Sequence, residues 1–340
     1  MVENMRRISV LVIAAVLLLT GCAAQKDGTP SAAPAVTASQ EDSTSSAAPA
    51  VTSSQEDSTL SIAPVITAEI QADKAVVSYL GPEGTYTQEA CGVFFDSKGT
   101  YAPYETVRDA VQALTEGYSN FAVIPQENTI GGAVIDYVDI LIAQTDVSVV
   151  GEVELPINQN LLTLPGAKAE TIRTVYSHKQ GIAQGKAWLE ANLPHAKVVE
   201  VSSTAEGAKM VAESGDPSCA AIASAACADV YGLEVYAAAI QNNDSNKTRF
   251  YVLSMQPPAT AEASRTAMIA SGCAAELPAL LSAMQERGIT LVALHDRPLK
   301  TELGEYAYVI ECTGCTYAQY QALADTSGLR MRYLGSFDVR

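Results

Sequence analysis

Basic side chains are scarce: 21 Lys and Arg stand against 38 Asp and Glu, for a formal net charge of -17 over 340 residues. No Lys/Arg cluster breaks that balance. A general nucleic-acid binder is therefore excluded, because neutralising phosphates takes clustered cations. An anionic small molecule is not excluded, since local dipoles and a single Arg can dominate inside a cleft. Charged residues make up only 17% of the chain. Long hydrophobic runs are missing too. The most apolar stretch, Ile8 to Leu19, is too short to span a bilayer comfortably. A zinc site lacks its ligands: Cys312-Thr313-Gly314-Cys315 has CxxC spacing but no partner pair and no nearby His.

What is present is a chain with 48% apolar residues, enough for a real core, and a length that suits two domains at roughly 100–200 residues each. Arg6 and Arg7 precede the Ile8–Leu19 run, and Leu19-Thr20-Gly21-Cys22 follows it. Residues 1–22 read as a bacterial lipoprotein signal, with small residues before a Cys that becomes the lipidated first residue. Acylated Cys22 predicts an exported protein anchored to the membrane without spanning it.

Residues 23–70 read as a tether. Ser31 to Thr44 (SAAPAVTASQEDST) recurs from Ser46 to Thr59 (SAAPAVTSSQEDST), and a degraded copy runs from Ser61 to Thr67. Ser, Thr, Ala and Pro dominate, without aromatics, so the stretch cannot bury enough surface to offset its ordering entropy. Beyond Cys22, six cysteines remain: 91, 219, 227, 273, 312 and 315. Most sit among small apolar residues and read as buried free thiols. The Cys312–Cys315 spacing also permits a local disulfide.

From Ala75 the pattern changes to alternating strands and helices. Strands are predicted at 76–80, 121–125, 147–155, 159–164, 174–177, 197–201, 219–223 and 248–254. Helices are predicted at 85–95, 135–143, 180–192, 205–214 and 224–231. Two βα series predict two lobes with mostly parallel sheets and a cleft between them. After a linker, 266–340 reads β-α-β-β-α-β, the ferredoxin-like order.

Ordered landmarks carry a further reading: Tyr79-Leu80-Gly81-Pro82-Glu83-Gly84-Thr85-Tyr86-Thr87, Ile124-Pro125-Gln126-Glu127-Asn128-Thr129, Gly151-Glu152-Val153, Tyr176-Ser177-His178-Lys179-Gln180, Ser202-Ser203-Thr204-Ala205 and Asn246-Lys247-Thr248-Arg249-Phe250. With these, Val76 to Phe337 resembles the prephenate dehydratase family. The resemblance implies an α/β fold: a two-lobed, periplasmic-binding-protein-like dehydratase domain over 71–256, then an ACT regulatory domain over 265–340. It implies a carbon–oxygen lyase that converts prephenate to phenylpyruvate, CO2 and water in phenylalanine biosynthesis, with neither metal nor organic cofactor. A homodimer or tetramer is implied as well.

By the same resemblance, Thr248 hydrogen-bonds or protonates the leaving hydroxyl, and Glu127, Asn128 and Gln184 complete the catalytic set. Thr85, Ser177, Ser203, Thr204 and Arg249 are the implied substrate contacts. Each has a plainer reading. Thr248 could simply start a strand. Asn128-Thr129, Ser177 and Ser203-Thr204 could cap helices. Arg249 could offer a bidentate fork to a carboxylate, or pair with an acidic residue and hold its loop. His178 is expected to be structural.

The chain departs from the family at Lys179, Gly181 and Gln126, beside the expected site. The C-terminal unit departs further. Ala275-Glu276-Leu277-Pro278 stands where the family has Gly-Ala-Leu, and His295-Asp296-Arg297-Pro298 where it has Glu-Ser-Arg-Pro. The resemblance implies L-phenylalanine as a ligand of that unit, while loss of the Gly removes the close backbone approach such a ligand exploits. Two other functions fit the residues: an arogenate dehydratase, and a lipid-anchored aromatic-acid binding protein built on the same fold.

Overall fold

The computed structural model describes residues 70–340. Cys22, the expected lipidation residue, and nearly all of the expected tether lie outside the described residues. The first lobe runs β1 (Val76–Leu80), α1 (Tyr86–Phe94), β2 (Thr100–Tyr104), α2 (Val107–Thr115), β3 (Phe121–Asn128), β4 (Gly132–Ala133), α3 (Ile135–Ala143) and β5 (Ser148–Pro156). The chain then crosses to a second lobe of β6 (Asn160–Thr163), β7 (Thr174–Ser177), α4 (Lys179–Asn192), β8 (Lys197–Glu200), α5 (Thr204–Ser214), β9 (Cys219–Ala223), α6 (Ala226–Tyr231) and β10 (Glu234–Ala237). It crosses back as β11 (Lys247–Ser254).

Both sheets are mixed, where the strand–helix alternation predicts mostly parallel ones. The first has the order β2-β1-β3-β11-β5 with β4 on β3, and the second β10-β6-β9-β7-β8. Parallel pairing holds for β1 with β2 and β3, and for β7 with β8 and β9. The returning β11 enters between β3 and β5 antiparallel to both. A strand that arrives from another lobe is free of the right-handed crossover that makes neighbours parallel.

The C-terminal residues form β12 (Arg265–Cys273), α7 (Leu277–Glu286), β13 (Thr290–Pro298), β14 (Glu305–Thr313), α8 (Tyr317–Thr326) and β15 (Arg330–Phe337), with sheet order β13-β14-β12-β15. Strand alternation gives this sheet two different faces. Met268, Ala270, Ile310 and Cys312 pack with Leu280, Met284 and Leu323 of the two helices. Ala267, Ile269, Ala307, Val309 and Leu334 face the first lobe and share one core with Tyr137, Leu141 and Tyr251. The union is tight. Arg297 forks onto Asp139 of α3 at 2.5 and 3.0 Å. Arg332 donates to the carbonyls that end α3, Gln144 O at 2.6 Å and Leu141 O. The chain end then extends the β5 edge, with Glu152 N donating to Asp338 O at 3.2 Å and Arg340 N to Glu152 O at 2.9 Å. All six cysteines of the described residues are free, and Cys273 alone among them is exposed.

Candidate active site

The C-terminal ends of the parallel strands in both lobes point into one cleft, the usual ligand position in α/β sheets. At its centre β3 and β11 lie side by side, pairing Asn128 with Thr248 and Glu127 with Arg249. The register slips once, so that Phe250 faces Pro125 and Gln126 is left over. Pro125 has no N–H to give the ladder, and a bulge beside it is the standard accommodation. The bulge has a consequence for chemistry. Regular alternation would place Asn128 with Gln126, opposite Pro125. The extra residue instead turns Gln126 and Glu127 to the back of the sheet and returns Asn128 to the cleft face with Thr248.

On the cleft face, Asn128 Nδ2 donates to Thr248 Oγ1 at 2.9 Å and to Asn246 Oδ1 at 2.8 Å. Asn128 Oδ1 accepts from Gly131 N at 2.8 Å and Ile130 N at 3.0 Å, a turn rather than a helix cap. It also accepts from Gln180 Nε2 of the second lobe at 3.1 Å. These bonds fix the amide orientation and tie the lobes together at the site. The Thr248 hydroxyl receives the Asn128 N–H, so its own O–H remains available to a bound molecule. Thr248 is only 9% exposed.

The cavity in front of this pair has a volume of about 260 Å³, near the small end of the ~300–1,000 Å³ typical of ligand sites. Tyr86, His178, Gln180, Gln184, Thr204 and Thr248 contribute to its walls, and among the described residues no carboxylate, ammonium or guanidinium group does. It opens toward a wider part of the cleft, about 600 Å³, bounded by Leu80, Tyr104 and Glu206. Ser202 and Ser203 border both spaces.

Two long helices start at the cavity. His178 caps α4 through Nδ1, which accepts from Gln180 N at 3.3 Å. Ser203 caps α5 by accepting from Glu206 N at 3.0 Å. Helix starts bring positive partial charge and unpaired N–H groups, an anion-binding arrangement that needs no cation. Gln184 is buried on α4, its Oε1 accepting from Gln159 Nε2 at 2.9 Å. Thr204 lines the cavity, its hydroxyl without a hydrogen-bond partner among the described residues.

Four of the residues implied for the site stand off the cavity. The Thr85 hydroxyl turns back to Leu80 O at 3.2 Å. Ser177 Oγ is fully buried and donates to Ile222 O at 2.7 Å, joining β7 to β9. Glu127 and Arg249 lie on the back face, where Arg249 Nη1 reaches Glu127 Oε2 at 3.3 Å. In exchange the structure brings in Gln180, Asn246, Gln159 and Tyr86. Gln180, Asn246 and Tyr86 fall inside the sequence landmarks, so a signal for them existed. Gln159 has none beyond its place at the start of an expected strand.

The back face is charged. Arg249 Nε donates to Glu152 Oε1 at 2.6 Å, and Arg249 Nη2 bonds Glu311 Oε1. Arg265 Nε also reaches Glu311 Oε1, at 3.1 Å. Burial pushes the Glu152 carboxyl up to about 7, with the Glu311 charge adding to it against the pull of Arg249. Burial alone would lower the Arg249 guanidinium, but Glu152 and Glu311 more than offset it and hold it above the ordinary arginine value. His295 contacts Tyr137 OH through Nδ1 at 2.5 Å, and burial lowers its pKa.

Comparison with known proteins agrees with this geometry. A family model for prephenate dehydratase matches residues 77–258. The chain is 34% identical over 261 residues to the bifunctional chorismate mutase/prephenate dehydratase of Neisseria gonorrhoeae, covering 76% of this chain and 72% of that one. It is 32% identical over 275 residues to the prephenate dehydratase of Lactococcus lactis subsp. cremoris, covering 77% and 97%. The crystal structure of prephenate dehydratase from Arthrobacter aurescens in complex with L-Phe aligns with a TM-score of 0.69 at 29% identity, over 77% of this chain and 89% of that one. The chain belongs to the prephenate dehydratase family.

Proposed function

We propose that the chain catalyses the decarboxylative dehydration of prephenate to phenylpyruvate, with the Thr248–Asn128 pair at the reacting centre. The observation that carries this reading is the state of the Thr248 hydroxyl. Its oxygen accepts from Asn128 Nδ2 at 2.9 Å, and its proton is left for the cavity. In the reaction the ring C–OH bond breaks and the electron pair of the ring–carboxylate bond enters the ring. CO2 departs, and the hydroxyl takes up one proton, delivered through Thr248 and replaced from solvent, and leaves as water. Thr248 hydrogen-bonds the departing oxygen. Threonine is a weak acid, so positioning contributes more than acidity.

The rest of the cavity suits a dianionic substrate. The α4 and α5 starts, with Thr204 and Gln184, supply neutral donors. A neutral lining also favours the step chemically. A cation clamped on the ring carboxylate would stabilise the ground state of a group that must become neutral CO2.

Three parts of the reading extend beyond the cleft. The β-α-β-β-α-β unit acts as an ACT domain. Its pattern supports pairing with a second copy, and L-phenylalanine is its candidate ligand. The Arg6–Cys22 pattern supports export and lipid attachment at Cys22, with the Ser/Thr/Ala/Pro repeats as the stalk.

The test is product analysis on purified protein offered prephenate and, separately, arogenate. Phenylpyruvate and CO2 from prephenate, at a clearly higher kcat/KM than phenylalanine from arogenate, support the proposal. The reverse preference reassigns the substrate. Tight binding of prephenate without turnover would make the cleft a receptor and defeat the proposal.

A further inference from the structure

The catalytic strand pair is held from behind by a carboxylate that its own domain does not provide. Glu311 sits in the middle of β14, in the C-terminal unit, and is 1% exposed. Its alternation places it with Ala307 and Val309 on the face that meets the first lobe. Amid that apolar contact it receives three bonds from the site strands. Arg249 Nη2 bonds Oε1, Tyr251 OH donates to Oε2 at 2.5 Å, and Gln126 Nε2 donates to Oε2 at 3.0 Å. Arg249 and Tyr251 belong to β11, while Gln126 belongs to β3. One carboxylate therefore bridges both strands. Arg249 adjoins Thr248, and Gln126 is the bulged residue whose extra place returns Asn128 to the cleft.

A buried ionic cluster is weak evidence for stability, because apolar residues of similar volume often serve as well. Its directed bonds can define a geometry that apolar contacts would not. The strand ends here need one. Asn128 and Thr248 must stay in register across a bulge, and a misplacement of about 1 Å at a reacting group can lower the rate roughly 10²-fold.

We infer that Glu311 is a positioning residue for the proposed reaction, acting through Arg249 and Gln126 to hold the Thr248–Asn128 pair in place. The inference rests on the dehydratase reading of the cleft. It makes the C-terminal unit a structural part of the catalytic centre, and any ligand that shifts its sheet acts on Thr248 by this route.

The experiment uses the full chain with Glu311→Gln, which keeps shape and removes charge, Glu311→Asp, which keeps charge, and Tyr251→Phe, which deletes one hydroxyl. Steady-state turnover of prephenate and thermal melting are measured for each. Glu311→Gln is expected to lower kcat about 10–100-fold, as displacement of a reacting group does, with KM within about threefold, since the substrate anions are held by α4 and α5. Glu311→Asp recovers part of that loss, and Tyr251→Phe lowers kcat severalfold without a change in KM. In a Thr248→Val background, Glu311→Gln still lowers the melting temperature but costs less than about twofold further in kcat, because the group it positions is gone.

A kcat within twofold of wild type in both Glu311→Gln and Tyr251→Phe overturns the inference. So does a loss that multiplies in full with that of Thr248→Val, which would mark a general structural effect. Should Glu311→Gln not fold, Tyr251→Phe decides alone. A wild-type chain that leaves prephenate unchanged overturns the functional reading first, and this role with it.

Discussion

The two faces of the β3–β11 ladder use the same backbone for opposite purposes. On the cleft side stand neutral groups: the Asn128 amide, the Thr248 hydroxyl, and Gln180 from across the gap. On the other side stand formal charges: Arg249 against Glu127, Glu152 and Glu311. Adjacent residues fall on opposite sides, since Thr248 is followed by Arg249 and Glu127 by Asn128. A ligand against the Asn128–Thr248 pair meets dipoles, and the charges that order those dipoles are kept behind the sheet. Chemistry and rigidity are thereby divided between faces, and substitutions on the two faces should be told apart by what they change.

The largest effect should come from the back. Arg249→Met strands Glu152 and Glu311 as buried carboxylates without their main partner, and removing one member of such a cluster costs about 3–5 kcal/mol. Urea or thermal unfolding should read that loss. A change under about 1 kcal/mol would mean that water reaches the cluster. Next in size, Asn128→Ala on the cleft side should lower kcat about 10²-fold, the order seen when a donor at a reacting centre is lost. Its stability should fall far less than that of Arg249→Met. Equal losses of stability in the two variants would erase the division between faces.

A smaller effect concerns Glu152. Its folded carboxyl stands at about 7, above the usual 4.5, because burial disfavours the charge. A raised carboxyl takes up protons on folding. The stability it contributes is therefore fully present below about pH 4.5 and is lost as pH rises through about 7. Glu152→Gln cannot titrate. The wild type should thus lose stability relative to this variant between pH 5 and pH 8, by on the order of 2 kcal/mol. Parallel stability curves over that range would remove the buried-proton assignment.

Much of this was legible in the sequence, but unevenly. Residues 121–125 and 248–254 read correctly as strands, and the landmarks around Asn128 and Thr248 contain the central pair. Their juxtaposition was not legible. They lie 120 positions apart, and nothing local indicates that β11 returns from the second lobe to lie antiparallel beside β3. Arg249 illustrates a signal present in the chain. Strand alternation places a neighbour of Thr248 on the other face, which favours the acid-pairing alternative for Arg249 over a substrate contact. Glu127 shows the converse. Regular alternation from Pro125 would have sent it to the cleft, and only the bulge beside Pro125 turns it away. Thr85 stands at a helix start, as its sequence suggests, yet its hydroxyl is taken by Leu80 O, a local competition that residue type alone does not reveal. Ser177 ends β7, one residue before the His178 cap, and its hydroxyl goes to Ile222 O of the neighbouring strand. Elements at 100–104 and 234–237 have weak patterns, and the first of these carries Pro103 on a sheet edge, where a missing N–H is tolerated. The helix at 107–115 is not weakly patterned: Val107, Ala110, Val111 and Leu114 recur at helical spacing behind a Thr106 cap, a legible signal that the expected elements omit.

The most direct test of the division between faces is Thr248→Val, which replaces the hydroxyl by a methyl group of similar shape. Turnover of prephenate and the melting temperature should be measured on the same preparation. The account predicts that kcat falls by about 10²–10⁴-fold, the range for a proton-donating group, while the melting temperature stays within a few degrees of wild type. Turnover within threefold of wild type would contradict it, and would move the chemistry away from this pair of strands.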